Sequence, residues 1–600
     1  MNLRNKTSKN TQISGKHQIV ESLNLHKEHS TTSRKRNSVS SPTSVPVVFV
    51  CFNKKPEDLT YEKVMESNEK MKWEEAIKKE IKSLRKKRCW EIVRKEMVTS
   101  TPISSRFVFK IKIGSDGNIL KYKARLVAQG FHQVYGINFY QTFSPVAKLA
   151  TLRLLVAFAV INGMILEHID VNTAYINADL DEEIWMYPPP GMDIPPDHVL
   201  LLKKSIYGLK QAGLNWNICI TTFLLSIGFR QCVSDTCCFI KGSDINSYIF
   251  ILIYVDDIFI GSRNPELIKS TKEAIANKFE IEDLGILKYY LGINFTWSTD
   301  CITMCQKVYI EKLAEKYHVS AETSTTTPLP TTFKYDPGEC EMMNDKAMRY
   351  VERFPVREII GAISYIALCT RPDVSFAISY LARFQDKPTL SLCKAIKHLL
   401  KYLNSTKSYS LKFSGKINSL VGFSDADWAG DPLNRRSTTG FIFYLGNCPI
   451  SWQSRLQPTV ALSTVEAEYM ALTSSTQEAI WLRSILKEWG LKMLMPTTIW
   501  SDNNGAILLA YNPIHHKRTK HIETKFHFIR EKVKSYEIII DHMPTSKMIA
   551  DLLTKNFTAR VQQNLIDQLL GKGQNIHPTS KRERIYKKLL ERICNESNEN

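Results

Sequence analysis

The sequence predicts a multidomain chain of mixed α+β and α/β class. At 600 residues it is too long for one hydrophobic core, so about three to five domains are expected. Apolar positions repeat with a helical period in some stretches and alternate with a strand period in others, and the two kinds interleave. A Ser/Thr/Pro-rich segment, "SAETSTTTPLPTTFKYDPG" (320–338), divides the chain as a linker would. Hydrophobic residues make up 43% of the chain, enough for ordinary globular folding. Lys and Arg number 80 against 60 Asp and Glu, a formal charge of +20. Such a surplus attracts polyanions without sequence specificity.

Residues 1–56 form a basic segment rich in Ser, Thr and Asn, with few apolar positions, and are predicted to be disordered. The knot Arg34-Lys35-Arg36 reads either as a nuclear-import signal or as a solvated tail. "KWEEAIKKEIKSLRKKRCW" then places Trp73, Ala76, Ile77, Ile81 and Leu84 on one helical face with charges opposite. "RFVFKIKIGSDGNILKYKARLVAQG" reads as a β-hairpin turning at "SDGN", with Lys110, Lys112, Lys121, Lys123 and Arg125 projecting from it. Residues 148–165 look helical, 165–260 mix strands and helices, 357–410 look largely helical, and 419–555 are mixed again. Residues 571–600 form a polar basic tail. Thirteen cysteines are scattered without a CxxC pair, which fits reduced intracellular thiols and no structural zinc. The first residues lack an apolar core of signal-peptide length, and no apolar run reaches the roughly 18 residues of a membrane span. A soluble, non-secreted chain is therefore expected.

One stretch breaks its local rules. "YIFILIYVDDIFIGS" (248–262) sets Asp256 and Asp257 between two buried-strand runs, where a tight turn is due. A two-residue hairpin turn prefers Asn-Gly or Asp-Gly, and two adjacent acids repel. Upstream, "LEHIDVNTAYINADLDEEIWM" offers Asp170 at the end of a strand-like run. Three carboxylates converging from two strand segments become tolerable when divalent cations bind between them, the arrangement of two-metal phosphoryl transfer. A phosphatase or kinase built on Asp-Asp and Mg²⁺ would need a Gly-rich phosphate cradle, and "GSDGN" is a hairpin turn instead.

With these residues in place, "DVNTAY…YVDD" resembles the palm of reverse transcriptases. The wider context resembles the polyprotein of copia-type LTR retrotransposons: "KARLVAQGFHQVYGINFYQTFSPVAKLATLRLL" (123–155), "DEEIWMYPPPG", "YGLKQA", "DLGILKYYLGI" (283–293) and "GAISYIALCTRPDVSFAIS" (361–379) follow in the family's order from about residue 57 to 570. The resemblance implies a right-hand polymerase of palm, fingers and thumb, followed by an RNase H-like mixed sheet with helices. It implies fingers and palm over 57–319, linker and helical thumb or connection over 320–418, and RNase H-like residues 419–570. Asp170, Asp256 and Asp257 match the polymerase triad, with Asp257 the weaker or assisting ligand. Tyr175 matches the aromatic gate that would collide with a 2′-hydroxyl; on its own residues it reads rather as a core tyrosine of a helix. Arg125 and Lys112 match fingers residues that hold a triphosphate, Gln211 the nucleotide pocket, and Leu291 and Gly292 the primer grip.

A second set of acids follows. "LVGFSDADWAG" ends a strand pattern at Asp425, "ALSTVEAEYMALTSS" carries Glu466 and Glu468 on a helix, "TTIWSDNNGAILLA" puts Asp502 at a strand-to-helix junction, and "MPTSKMIADLLTKN" gives Asp551. Singly each reads as a cap or surface acid, and Asp502 could be an N-cap. In family order they match the RNase H carboxylates, and the family's register selects Glu468. His521 and His527 in "KHIETKFHFIRE" either touch substrate or lie on a helix surface.

The resemblance further implies two Mg²⁺ or Mn²⁺ ions per site, and an RNA template, a DNA primer, the RNA–DNA hybrid and dNTPs as partners. It implies a cytoplasmic virus-like particle, with product delivered to the nucleus, and Gag and integrase encoded elsewhere or missing. Asn172, Ala178, Gly213, Leu214 and Gly505 depart from the family pattern, where Lys, Gly, Pro, Arg and Ser are usual; no metal ligand is lost. The competing expectation is a decayed or host-adopted remnant that only binds nucleic acid through its basic surface.

Overall fold

The computed structural model describes residues 59–113, 119–244, 246–320, 325–415, 419–491, 495–512, 523–572 and 580–587. The basic segment 1–56, the "SDGN" turn and His521 lie outside them. The chain forms two compact units. One comprises the described residues up to 144 and 175–223, the other 145–174 and the described residues from 224 onward.

In the first unit the helix Lys70–Lys86 lies on the hairpin of strands Ser105–Ile113 and Ile119–Ala128. The helical period read in the sequence explains the contact. Trp73, Ile77 and Leu84 are buried, Ala76 and Ile81 partly so, and Trp73 meets Phe109 and Tyr122 edge-on at 5.3 and 4.7 Å. Glu80 shares this apolar face, and its carboxylate accepts the Leu126 N–H at 3.2 Å. Beside the hairpin, strands Trp90–Arg94, His198–Lys204 and Asp179–Met186 form an antiparallel sheet in that order. The backbone after the hairpin meets the "YGLKQA" segment closely. Ala128 N–H donates to Tyr207 C=O at 2.8 Å, and a Cβ on Gly208 would lie 2.0 Å from the Ala128 carbonyl oxygen.

Among its described residues the second unit contains three sheets. The first runs Ile281–Ile286, Ile165–Val171, Asp257–Ser262, Ile249–Tyr254, Cys238–Lys241, Arg230–Gln231. Its middle strands read as near-continuous apolar runs because they are buried on both faces. A four-stranded sheet (Tyr289–Tyr290, Ile293–Ser298, Cys301–Cys305, Leu411–Ser414) and the helices Val356–Cys369, Ser375–Ala382 and Leu390–Ser405 follow. The last sheet has five strands, ordered Cys448–Leu456, Thr438–Leu445, Leu420–Ala426, Thr497–Ser501, Ile538–His542. The first three pair antiparallel and the last two join in parallel. The long helix Thr464–Glu488 packs on it. Within 571–600 the described residues include a helix over 581–587, held by Ser580 Oγ to Asp541 and by Arg582 to Ile540 C=O at 2.9 Å.

One buried cation ties these parts of the second unit together. Arg153, on the helix Leu149–Asn162, donates to Ile450 C=O (2.8 Å) and to Leu368 and Cys369 C=O (2.8 and 3.3 Å). Its guanidinium lies 3.8 Å from the Trp452 ring centroid, and the Trp452 N–H donates to Ala367 C=O. Burial pulls its pKa down to about 10. Among the described residues the cysteines are free, and no helix is long and apolar enough to cross a membrane.

Arg153→Ala strips three carbonyls, two of them in buried contacts, of a donor. The expected loss is about 3 kcal/mol, read as a lower denaturant midpoint of the second unit; an unchanged midpoint contradicts the tie.

Candidate active sites

The register Tyr254↔Asp257 leaves Val255 and Asp256 as the two central residues of the hairpin turn. Val255 has φ 60°, while Asp256 is not among the residues of positive φ. That sign pattern belongs to a II′ turn, whose first central position is normally glycine. A β-branched residue there is strained. The expectation that Asp256 and Asp257 share the turn is thus corrected. Asp257 is the first residue of the return strand, directly opposite Asp170. The Val171 N–H donates to Asp256 C=O at 2.8 Å, fastening the turn to the strand that carries Asp170.

Asp257 has a partner that sequence reading missed. His168 Nε2 lies 2.8 Å from Asp257 Oδ1, and the imidazole is buried edge-on to Tyr290 at 5.1 Å. His168 stands two residues before Asp170, and so on the same face of the strand. That spacing was the available signal. The turn Leu291-Gly292 is also a left-handed pair, φ 50° and 73°, and the Tyr365 hydroxyl donates to Leu291 C=O. Thr173, just after Asp170, has φ 52°. Such strain persists only where the surroundings enforce it, and it gathers at functional sites.

In the first unit, Lys112 faces Lys121 across the hairpin. The Arg125 guanidinium lies 4.3 Å from the Tyr207 ring centroid, and Tyr175 meets the same ring edge-on at 5.0 Å. Tyr207, from "YGLKQA", therefore joins two residues far apart in sequence. The buried Nε of Arg125 has no hydrogen-bond partner among the described residues. Gln211 is 1% exposed. Its amide donates to Asn138 C=O (2.8 Å) and Glu182 Oε2 (3.2 Å), and its carbonyl accepts from Gln133 (2.9 Å).

The second acid set converges in the five-stranded sheet. One carboxylate oxygen each from Asp425, Glu468 and Asp502 lies within 4.8 Å of the others, the one such His/Cys/Asp/Glu group among the described residues. Asp170, Asp256 and Asp257 are not drawn to that mutual spacing. Asp425 and Asp502 sit at the ends of adjacent parallel strands, and Glu468 reaches them from the helix Thr464–Glu488. The rival readings of two acids separate cleanly. Asn503, not Asp502, caps the helix Asn504–Tyr511. Glu466 serves the start of its own helix, accepting the Leu462 N–H while the N-cap Ser463 hydroxyl accepts the Glu466 N–H. Glu468 accepts the Ala426 N–H (3.3 Å), and its other oxygen is buried with no hydrogen-bond partner among the described residues.

Asp551 lies in the 3₁₀ turn Ile549–Leu553, and sequence reading missed its surroundings. Gly440, opposite Asp425 in register, makes room for this turn; a Cβ there would sit 2.6 Å from Thr554 Cγ2 and 2.8 Å from Leu553 Cβ. The Thr554 hydroxyl donates to Asp425. The Lys555 ammonium lies 3.4 Å from Asp425 and 3.2 Å from Asp551. Thr545 donates to Asp502 at 2.7 Å. Burial, then the charges of Asp425 and Asp502, hold the Glu468 carboxyl well above its ordinary range. Burial and Asp425 push Asp551 up to about 7 against the pull of Lys555, and burial raises Asp427 to about 6. His527 is exposed on the helix Glu523–Lys534.

Residues 87–331 match the family model described as reverse transcriptase (RNA-dependent DNA polymerase). The chain is 34% identical over 536 residues to the retrovirus-related Pol polyprotein from transposon TNT 1-94 of Nicotiana tabacum, covering 89% of this chain and 40% of that protein. It is 35% identical over 503 residues to the corresponding polyprotein from transposon RE1 of Arabidopsis thaliana, covering 83% and 34%. A Ty5-1 transposon protein of Saccharomyces cerevisiae is 30% identical over 314 residues, 52% of this chain and 99% of that one. The chain thus spans two fifths or less of the two Pol polyproteins. A solved foamy viral protease-reverse transcriptase in complex with double-stranded DNA aligns over 79% of this chain and 70% of its own, at TM-score 0.40 and 12% identity.

Two outcomes follow. Val255→Gly relieves about 1–3 kcal/mol of strain, less about 1 kcal/mol for glycine's freedom in the unfolded chain. A stability gain of about 1 kcal/mol is expected by denaturant unfolding; a loss would mean that Val255 packing outweighs the strain. In cation-free protein, Asp551 at about 7 lies above its unfolded value of about 4. The folded state therefore binds more protons, and stability falls as pH rises between about 4 and 7. Asp551→Asn should flatten that fall in unfolding midpoints measured under chelation.

Proposed function

We propose, for a chain that belongs to the copia-type retrotransposon Pol family, that it copies an RNA template into DNA and degrades the RNA of the resulting hybrid. The observation that carries the first activity is the placement of Asp170, Asp256 and Asp257. Three acids occupy adjacent positions of one hairpin and its neighbouring strand, inside the stretch that matches the reverse transcriptase model. In this reading the six-stranded sheet is the palm, the hairpin Ser105–Ala128 belongs to the fingers, the helices between 356 and 405 to the thumb or connection, and residues 419–570 to an RNase H-like part.

The residues fit divalent cations. Converging buried carboxylates and an orphaned Glu468 oxygen are the hard-oxygen donors that Mg²⁺ or Mn²⁺ takes. Asp425, Glu468, Asp502 and Asp551 would hold two ions, and Asp170 and Asp256 two more, with Asp257 assisting while its other oxygen rests on His168. Bound there, such ions supply Lewis-acid stabilisation of the attacked phosphate and of the leaving oxygen. The protein's own part is rigidity: strand ends and strained turns hold the carboxylates in place before substrate arrives. In the first unit, Arg125 and Lys112 offer donors to a triphosphate. Arg suits this through paired N–H contacts, and the Tyr207 ring fixes its plane. Tyr175 excludes a ribose 2′-hydroxyl, Gln211 braces the loop around Asn138, and Leu291 and Gly292 hold the primer. DNA primer, RNA template, hybrid and dNTPs are the partners this chemistry needs, in a cytoplasmic particle.

Purified protein should extend oligo(dT) on poly(rA) with dTTP and Mg²⁺ or Mn²⁺, and Asp256→Asn should cost roughly a thousandfold, about 4 kcal/mol. A labelled RNA–DNA hybrid should be cut by the wild type and spared by Asp502→Asn. Incorporation absent, or unaltered by Asp256→Asn, overturns the polymerase reading; cutting unaltered by Asp502→Asn overturns the nuclease reading.

A further inference from the structure

The Lys555 ammonium stands between two carboxylates that are almost fully buried, 3.4 Å from Asp425 and 3.2 Å from Asp551; the Asp425 and Asp551 side chains are 1% and 4% exposed and the lysine 38%. Asp425 is shared. On one side it converges with Glu468 and Asp502, where the buried Glu468 Oε2 has no hydrogen-bond partner among the described residues. On the other it faces Asp551 across the lysine. The backbone under Lys555 is fixed: its N–H donates to Asp551 C=O at 2.9 Å, the Thr554 hydroxyl donates to Asp425, and Asn556 donates to Leu329 and Pro330 C=O at 3.0 and 3.1 Å. The flexible four-carbon stem is not so fixed, and the side chain is partly exposed. A lysine is a single point charge on a mobile arm, a weaker and more displaceable counter-ion than an arginine fork.

We infer that Lys555 is a built-in competitor for a second divalent cation. This rests on the reading that the Asp425 cluster binds metal. The free protein takes one cation at Asp425, Glu468 and Asp502. A second enters between Asp425 and Asp551 only as the lysine swings out. Until then Lys555 supplies the charge that keeps Asp551 and Asp425 together, and it sets the cation concentration at which the second position fills.

The test is calorimetric titration of the full chain with Mn²⁺, in an Asp170→Asn/Asp256→Asn background that silences the other carboxylate set. With Lys555 present one Mn²⁺ should bind tightly. Lys555→Met and Lys555→Gln should each bind two, or bind the second at least tenfold more tightly, and Lys555→Arg should bind one, with the second no tighter than in the wild type. The same number and affinity across all four chains overturns the inference while the metal reading stands. No Mn²⁺ bound by any of them overturns both. Hybrid cleavage lost in Lys555→Gln with Mn²⁺ binding unchanged also overturns it, by making Lys555 a substrate contact.

Discussion

Carboxylates repel, and the second unit brings them together anyway. At an effective dielectric of about 20, two unit charges some 5 Å apart cost about 3 kcal/mol, before the desolvation that burial adds. Asp425, Glu468 and Asp502 stand within that distance, and Glu468 is almost fully buried. Thr554 and Lys555 hold Asp425 and Thr545 holds Asp502, but the convergence itself is imposed by the elements that carry the acids. The parallel pairing of Leu420–Ala426 with Thr497–Ser501 delivers two of the acids side by side, and the helix Thr464–Glu488, buried along much of its length, delivers the third. The protein tolerates the repulsion because the sheet and helix are fixed by apolar burial elsewhere.

The first carboxylate set is built by a different device with the same consequence. Two-residue turns at Val255-Asp256 and Leu291-Gly292 force non-glycine residues into left-handed backbone. The flanking strands bury every side chain from Ile249 to Ile253 and from Ile258 to Ser262. The strands overrule the turns, so the acids cannot retreat from one another by relaxing the backbone. His168 takes one oxygen of Asp257 and so fixes that carboxylate against the strand that carries Asp170. Arg153 extends the framework by fastening the helix Leu149–Asn162 to both Ile450 and the end of the helix Val356–Cys369.

Much of this was legible in the sequence where periodicity is local. The Trp73–Leu84 face, the hairpin around residues 105–128 and the apolar runs beside "YVDD" follow from alternation or from the helical repeat, which a single segment displays. The convergence of Asp425, Glu468 and Asp502 was legible only through family order, since each acid alone reads as a cap. What stayed hidden depends on contacts across long separations. Lys555 and Thr554 matter because Gly440 lets their turn approach Asp425. Tyr207 matters because it joins Arg125 to Tyr175. Glu80 was read on the charged side of its helix and is buried, because the Leu126 N–H beneath it needed an acceptor. The placement of Asp257 in the turn failed for a local reason: the strand pairing runs one residue further than turn preferences suggest.

The central claim is that the framework holds these carboxylates against their own repulsion for a cation to neutralise. Thermal unfolding of the wild type and of Glu468→Gln, at mildly alkaline pH with chelator or with excess Mg²⁺, tests it most directly. Under chelation the variant should melt higher, because a buried, repelled charge is gone. Mg²⁺ should raise the melting temperature of the wild type, as a ligand of the folded state does, and raise that of the variant far less. A variant that melts lower under chelation, together with a wild type indifferent to Mg²⁺, would contradict the account.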